Sequence, residues 1–290
     1  MKDEKIHVAF SSLTWALVLT CTKLTVALIT GSLGILSEAL HSGLDLVAAG
    51  ITVYAVRQSA RPADHDHPFG HGKFENFSAL METLLLVATS IWIVYEAVVR
   101  LTDPGFVGPE TSVWAFGVMI FAIVIDLGRS RALMRVARKT GSQALEADAL
   151  HFSSDVWSST AVIGGLGFAA MGFPKADPIA ALCVAAVVLL VAWRLVRRSV
   201  DALLDKAPDG ITDAIRDLVR NVPGVSGVQS IRVRSVGADL HVELVVRVDG
   251  SQSLQWAHAV ADRVEAEVHG VHPSAHVSVH MEPEARPTGS

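Results

Sequence analysis

The chain has 290 residues, 51% of them hydrophobic, a positive mean hydropathy and a formal net charge of -5. No basic stripe is available to neutralise phosphates, which excludes nucleic acid as the expected partner. The two cysteines, Cys21 and Cys183, lie far apart in apolar blocks without a CxxC partner, and read as buried small hydrophobes rather than a disulfide or a metal ligand pair.

The N-terminus, MKDEKIHVAF, carries charges of mixed sign, and the apolar block behind it is too long for a cleavable signal peptide. A membrane helix needs about 20 mainly apolar residues. Six blocks approach that length: 8–30, 35–57, 78–101, 112–128, 150–172 and 177–196. The fourth could extend towards 137, and the fifth could start near 143. Basic residues concentrate in alternate links. Arg57, Arg61 and Lys73 follow the second block, Arg129, Arg131, Arg135, Arg138 and Lys139 follow the fourth, and Arg194, Arg197, Arg198 and Lys206 follow the sixth. The positive-inside rule then places both termini in the cytoplasm of a multi-pass protein embedded in the lipid bilayer.

From about residue 207 the pattern changes. Segment 211–221 reads as an amphipathic helix that closes at Pro223, and 227–236 and 238–248 alternate at the strand period. A helix over 253–269, capped by Ser251 or Ser253, and a strand over 275–281 complete an αββαβ order. The expected division is a membrane domain over 1–205 and an α+β domain over 206–290.

The second block contains Glu38, His41 and Asp45; the fifth contains Asp148, His151 and Asp155. His-x-x-x-Asp occurs in both, and positions four apart share a helix face. Two such faces opposed offer two nitrogens and two oxygens, a plausible tetrahedral zinc site. A single intramembrane His or Asp can be a hydrogen-bonding or ion-pair partner and nothing more. Two Asp at helix centres, however, cost about 5–7 kcal/mol on the insertion scale, and polar contacts return only about 0.6–2 kcal/mol each. A metal or proton pathway offsets that cost where polar glue does not. No HExxH is present, which argues against an intramembrane metalloprotease.

Three stretches, SLGILSEALHSGLDL, RPADHDHPFGHGKFENFSAL and ALEADALHFSSDVWSS, resemble the cation diffusion facilitators, zinc and iron efflux transporters. The resemblance covers nearly the whole chain, and HPFGHGK is its most specific part. It implies a homodimer with six transmembrane helices per subunit, a cytoplasmic αββαβ domain of ferredoxin-like kind, and metal–proton antiport across the inner membrane. It places a transport site on His41, Asp45, His151 and Asp155, and a loop site on Asp64, His67 and His71, with His65 and Asp66 as extra donors. It puts a cytoplasmic metal site on His241, His258, His280 and Glu282, with Gln229 standing where some members have a ligand histidine. Lys73 and Asp205 match a structural ion pair. Zn²⁺ is the expected substrate and a regulatory ligand, with Cd²⁺, Co²⁺ and Fe²⁺ as further candidates, because imidazole selects late transition metals over magnesium and calcium. Alternatives are an iron or manganese exporter of the same fold, a membrane-embedded metal sensor or scaffold, and a passive channel.

Overall fold

A computed structural model describes residues 2–30, 33–103, 113–171, 175–237 and 239–284. Six long helices come first: α1 (Lys2–Thr30), α2 (Leu33–Ser59), α3 (Lys73–Thr102), α4 (Val113–Thr140), α5 (Gln143–Ala170) and α6 (Ala176–Leu203). They overrun the apolar blocks mainly on the side of the basic links. There, polar turns such as Glu75–Asn76 and Arg135–Lys139 continue the helix and satisfy their own backbone beyond any apolar stretch. Among the described residues, α1, α2, α3 and α6 each contain a stretch long and apolar enough to cross a membrane. α4 and α5 instead hold the buried polar residues Arg129, Asp148 and His151.

The closest helix partnerships are α3 with α6, α1 with α2, and α4 with α5. Ala9, Val53, Val56, Leu133, Leu145 and Phe152 join α1, α2, α4 and α5 in one apolar cluster. Large apolar side chains on the outer surface, such as Leu28, Ile29, Trp92 and Trp193, are more than half exposed, as lipid-facing residues are when no lipid is counted. Cys21 and Cys183 belong to that outer surface. This corrects their expected burial: periodicity on an apolar helix does not distinguish the lipid face from the protein face.

The remaining chain forms α7 (Ile211–Arg220), β1 (Gly227–Val236), β2 (Asp239–Val248), α8 (Leu254–Val271) and β3 (His276–Pro283). The sheet order is β1-β2-β3, with β1 antiparallel and β3 parallel to β2. A parallel pair needs a crossover, which α8 supplies. Ser253 caps α8 by accepting the Trp256 amide at 3.2 Å. Ile215 and Val219 of α7 and Val260, Val264 and Val268 of α8 pack on Val233, Val242, Leu244 and Val246 of the sheet. The alternate residues, including Glu243, Arg247, Ser278 and His280, occupy the uncovered face.

The start of α3 lies hard against the β1–β2 turn. A side-chain carbon at Gly72 would fall 2.5 Å from the Val236 carbonyl oxygen, a backbone atom that cannot swing away. Gly72→Ala is therefore expected to cost about 1–3 kcal/mol of overpacking strain at this junction. The expected readout is a lower thermal unfolding midpoint of the detergent-solubilised protein; an unchanged midpoint contradicts the close approach.

Candidate metal centre

His41 and Asp45 stand one turn apart on α2, His151 and Asp155 one turn apart on α5, and the structure brings all four together. His151 Nε2 lies 3.0 Å from Asp45 Oδ1 and 3.8 Å from Asp155 Oδ2. His41 Nε2 lies 3.7 Å from Asp155 Oδ1 and 4.0 Å from Asp45 Oδ1. Zinc–ligand bonds of about 2.0–2.2 Å give a tetrahedron with edges of roughly 3.3 Å. The observed separations straddle that value. Donor atoms of His41, Asp45 and Asp155 lie within 4.8 Å of one another, and His151 joins them through its 3.0 Å contact with Asp45. The His151 side chain is 6% exposed, Asp45 12%, Asp155 18% and His41 36%, so His41 is the most accessible of the four.

Two atoms here have no hydrogen-bond partner although they are buried: Asp155 Oδ2 and His151 Nδ1. The first faces the cluster, as a donor atom awaiting a cation would. The second restricts proton placement. A carboxylate only accepts, so the contact with Asp45 requires a hydrogen on His151 Nε2.

Buried polar groups surround the cluster. Arg129 pairs with Asp126 at 3.0 Å, donates to Ser12 Oγ and stacks over the Phe152 ring. The Ser12 hydroxyl in turn donates to Asp148 at 3.3 Å. Glu82 accepts from Thr52 and Ser78, and Lys23 donates to Ser42 Oγ at 2.7 Å. Sequence reasoning gave these residues no part in the site and counted Arg129 in the basic link after the fourth block; its burial within α4 corrects that placement. The available signal was a set of charges inside otherwise apolar blocks, without any spacing to say which pair with which.

The α2–α3 link gathers a second cluster. Asp64 Oδ1 accepts the His67 amide at 2.7 Å and approaches His67 Nδ1 at 3.4 Å, while Oδ2 lies 3.3 Å from His71 Nε2. That amide bond is the main reason the Asp64 carboxyl sits below its usual range, with the two histidines adding to the effect. His71 Nδ1–H donates to the Pro62 carbonyl at 3.1 Å, which fixes the ring and turns Nε2 towards Asp64. Gly70, at φ +79, allows the turn that returns its amide to the His67 carbonyl. The His65 and Asp66 side chains do not join: they face solvent and lie 3.4 Å from each other, and Asp66 reaches Asp64 only through its backbone amide at 3.1 Å. We expect Asp64→Ala or His71→Ala to remove one weak zinc from calorimetric stoichiometry while leaving the intramembrane site occupied. Unchanged stoichiometry in both variants contradicts a loop site.

A cavity of about 210 Å³ beside this loop is lined by His67, Phe69, His71, Lys73, Arg234 and Val236, so it joins the link to the sheet. Lys73 Nζ contacts Asp205 Oδ1 at 2.7 Å and the Leu203 carbonyl at 3.3 Å, and Arg234 reaches Asp205 Oδ2 at 3.4 Å. The Lys73 hydrogen bond, helped by both cations' charge, holds the Asp205 carboxyl below its usual range. The expected ion pair therefore ties α3, the end of α6 and β1 at one point.

The cytoplasmic candidates do not gather within one chain. His241 aligns with His276 across the parallel pair and stacks on it at 4.7 Å, whereas His280 aligns with Val245 and Glu282 with Arg247. His241 is thus four residues along β2 from the level of His280, about 13 Å. Burial and the neighbouring His276 hold the His241 imidazole below its usual pKa. His280 Nε2 and Glu282 Oε1 lie 4.0 Å apart on one strand face, and His258 pairs with Asp262 at 3.8 Å on α8. Gln229 accepts from Arg247 at 3.2 Å. Strand register separates what residue type alone would group.

Comparison with known proteins places these features. Residues 9–204 match the family described as the cation efflux transmembrane domain, and residues 207–284 match the cation efflux protein, cytoplasmic domain. The chain is 33% identical over 279 residues to the cation-efflux pump FieF of Yersinia enterocolitica, covering 96% of this chain and 92% of that one. It is 32% identical over 282 residues to the FieF pump of Salmonella arizonae, covering 95% and 91%. Among solved structures, a MamM-CTD chain is 30% identical over 25% of this chain and 92% of its own, with a TM-score of 0.24. The chain belongs to the cation diffusion facilitator family and is an integral membrane transporter, not an enzyme, that carries out efflux of divalent metal cations.

Proposed function

We propose that the protein exports Zn²⁺ from the cytoplasm in exchange for protons, through the site made by His41, Asp45, His151 and Asp155. The observation that carries this reading is the convergence of one imidazole and one carboxylate from each of two helices at separations a tetrahedral zinc can close. Two nitrogen donors favour zinc over magnesium or calcium, and the scarcity of sulfur donors disfavours monovalent copper.

Proton exchange follows from the His151–Asp45 contact. Nε2 carries a hydrogen in the empty site and must present a lone pair to the metal. Between the carboxylates of Asp45 at 3.0 Å and Asp155 at 3.8 Å, His151 is held as imidazolium in the empty site. Zinc binding at Nε2 displaces the proton of that nitrogen and leaves a neutral imidazole with its hydrogen on Nδ1, so one proton leaves the site as the metal arrives, and a returning proton competes with the metal for the same nitrogen. On the cytoplasmic side zinc displaces the proton; on the far side the proton displaces zinc.

The rest of the reading is architectural. All six long helices cross the inner membrane, the polar ones shielded by α1, α3 and α6, with both termini and the domain beyond residue 205 in the cytoplasm. Two copies form a homodimer. The loop cluster at Asp64, His67 and His71 acts as a cytoplasmic capture point. His280 and Glu282 offer half of a regulatory metal site, which His258 or a second copy would complete; His241 lies outside its reach.

Reconstituted protein tests the exchange. Zinc uptake should follow an imposed pH gradient and collapse when an ionophore dissipates it. Uptake that ignores the gradient refutes antiport, and preference for iron or manganese over zinc in competition refutes the choice of metal.

A further inference from the structure

A groove of about 210 Å³ runs between α1 and α4 and has no part in the metal site. Its buried wall includes Ser12, Arg129 and Leu133. The polar pair there is already engaged, Arg129 with Asp126 and Ser12, and Ser12 with Asp148. Trp15 and Val124 line the groove and are exposed. On α4, Val124 continues the outward row of Ile120 and Phe121, which are exposed too, so the groove opens towards lipid. Gly128 and Ala132, also in its lining, have the small-xxx-small spacing that usually brings two helices into close contact. Here it does not: a side-chain carbon at Gly128 would meet no atom within 4 Å. The small residues leave space between α1 and α4 instead of closing it.

The charges beyond the groove say what fills it. Towards its C-terminus α4 carries Arg131, Arg135 and Arg138, all exposed and without an ion-pair partner among the described residues. Lys139, by contrast, is tied to Glu4 of α1 at 2.7 Å. Arg131 follows Gly128 by three residues and Arg135 follows Ala132 by three, so both stand beside the groove on the same side of α4. Val124 and Arg135 are eleven residues apart. That is about 16 Å along a helix, close to the hydrocarbon depth of one leaflet. A headgroup at the arginines would therefore let an acyl chain run the length of the groove.

We propose that the α1–α4 groove binds an anionic phospholipid, its acyl chain between the helices and its phosphate held by Arg131 and Arg135. Guanidinium groups match phosphate oxygens in pairs. A zwitterionic lipid offers a phosphate as well, but its own amine offsets the charge, whereas a net negative headgroup gains from each cation near the surface. The bound chain lies against Ser12, one hydrogen bond from Asp148, which precedes the ligand His151 by three residues. Only the assignment of the lipid to the cytoplasmic leaflet rests on the orientation proposed above; the binding does not.

The test is native mass spectrometry of the full-length protein in mild detergent. It is titrated with phosphatidylglycerol and, separately, with phosphatidylethanolamine of the same acyl chains. The expected result is saturable binding of one phosphatidylglycerol per subunit, at least about fivefold tighter than phosphatidylethanolamine. Arg131→Gln and Arg135→Gln should each weaken phosphatidylglycerol about fivefold and leave phosphatidylethanolamine unchanged. Gly128→Leu, which fills the groove, should weaken both lipids. Should Gly128→Leu fail to insert, the two arginine variants, whose side chains are exposed, decide alone. Equal affinity for the two lipids, or phosphatidylglycerol binding indifferent to both arginine variants, overturns the proposal. Binding that survives Gly128→Leu at wild-type strength places the lipid elsewhere and overturns it. Loss of the dimer in Gly128→Leu with lipid binding intact assigns the groove to a second copy of the chain and overturns it too.

Discussion

Asp155→Ala, or Asp45→Ala, is expected to abolish zinc uptake into proteoliposomes and to lower zinc affinity more than about 100-fold, beyond the usual loss from disturbing a ligand's support. Each carboxylate is one of four donors. Its removal leaves three donors around the ion and a net charge that no longer balances it. The effect should be functional rather than structural. The apolar cluster of Val53, Val56, Leu133, Leu145 and Phe152 holds α2, α4 and α5 together without either acid. The buried carboxylates also cost the membrane domain free energy in their own right, so alanine should leave the unfolding midpoint unchanged or raise it. Uptake within twofold of wild type in both variants would show that the cargo travels elsewhere.

Zinc binding should release close to one proton per ion, and affinity should rise about tenfold per pH unit over the range where that proton is displaced. The sign follows from the geometry. His151 Nε2 is the hydrogen-bearing atom in the empty site and the donor atom in the loaded one, so protons and zinc exclude each other there. Lower pH favours the proton and therefore release. Calorimetry in buffers of different ionisation enthalpy measures the count directly. His151→Gln should remove the pH slope as well as most of the affinity, since an amide offers no proton to displace. A wild-type slope of zero would mean that metal enters without proton exchange, and would leave antiport without a physical basis.

The paired His-x-x-x-Asp elements were legible because the helical period is invariant: four residues apart means one face, in lipid as in water. The loop site was legible for a similar reason, since DHDHPFGH is too short a stretch to scatter its donors widely. Even so, only the fold of the link separates His67 and His71, which close on Asp64, from His65 and Asp66, which do not. The order of the second domain could be read because Val242, Leu244, Val246 and Val248 alternate with polar residues at the strand period.

Long-range register could not be read. The step that sets His241 level with His276 instead of His280 depends on how β3 slides along β2, and neither strand's own pattern fixes it. The start of α5 at Gln143 agrees with the expected extension, but other helix ends, that of α3 among them, were set too short for a different reason. Hydropathy reports the apolar middle of a helix, while Glu75, Asn76 and Ser142 pack into buried junctions beyond it. There, Glu75 accepts from Lys5 and Ser59 at 2.8 Å and from Ser142. Lys23 went unremarked because a lone charge in an apolar block carries no information about its partner until α1 and α2 are packed.

The decisive measurement is a zinc-edge anomalous map, or a high-resolution density map of the zinc-loaded protein. The expected result is an ion within about 2.0–2.2 Å of one donor atom from each of His41, Asp45, His151 and Asp155. Zinc found at the loop or on the sheet, with those four side chains empty under saturating metal, would contradict it.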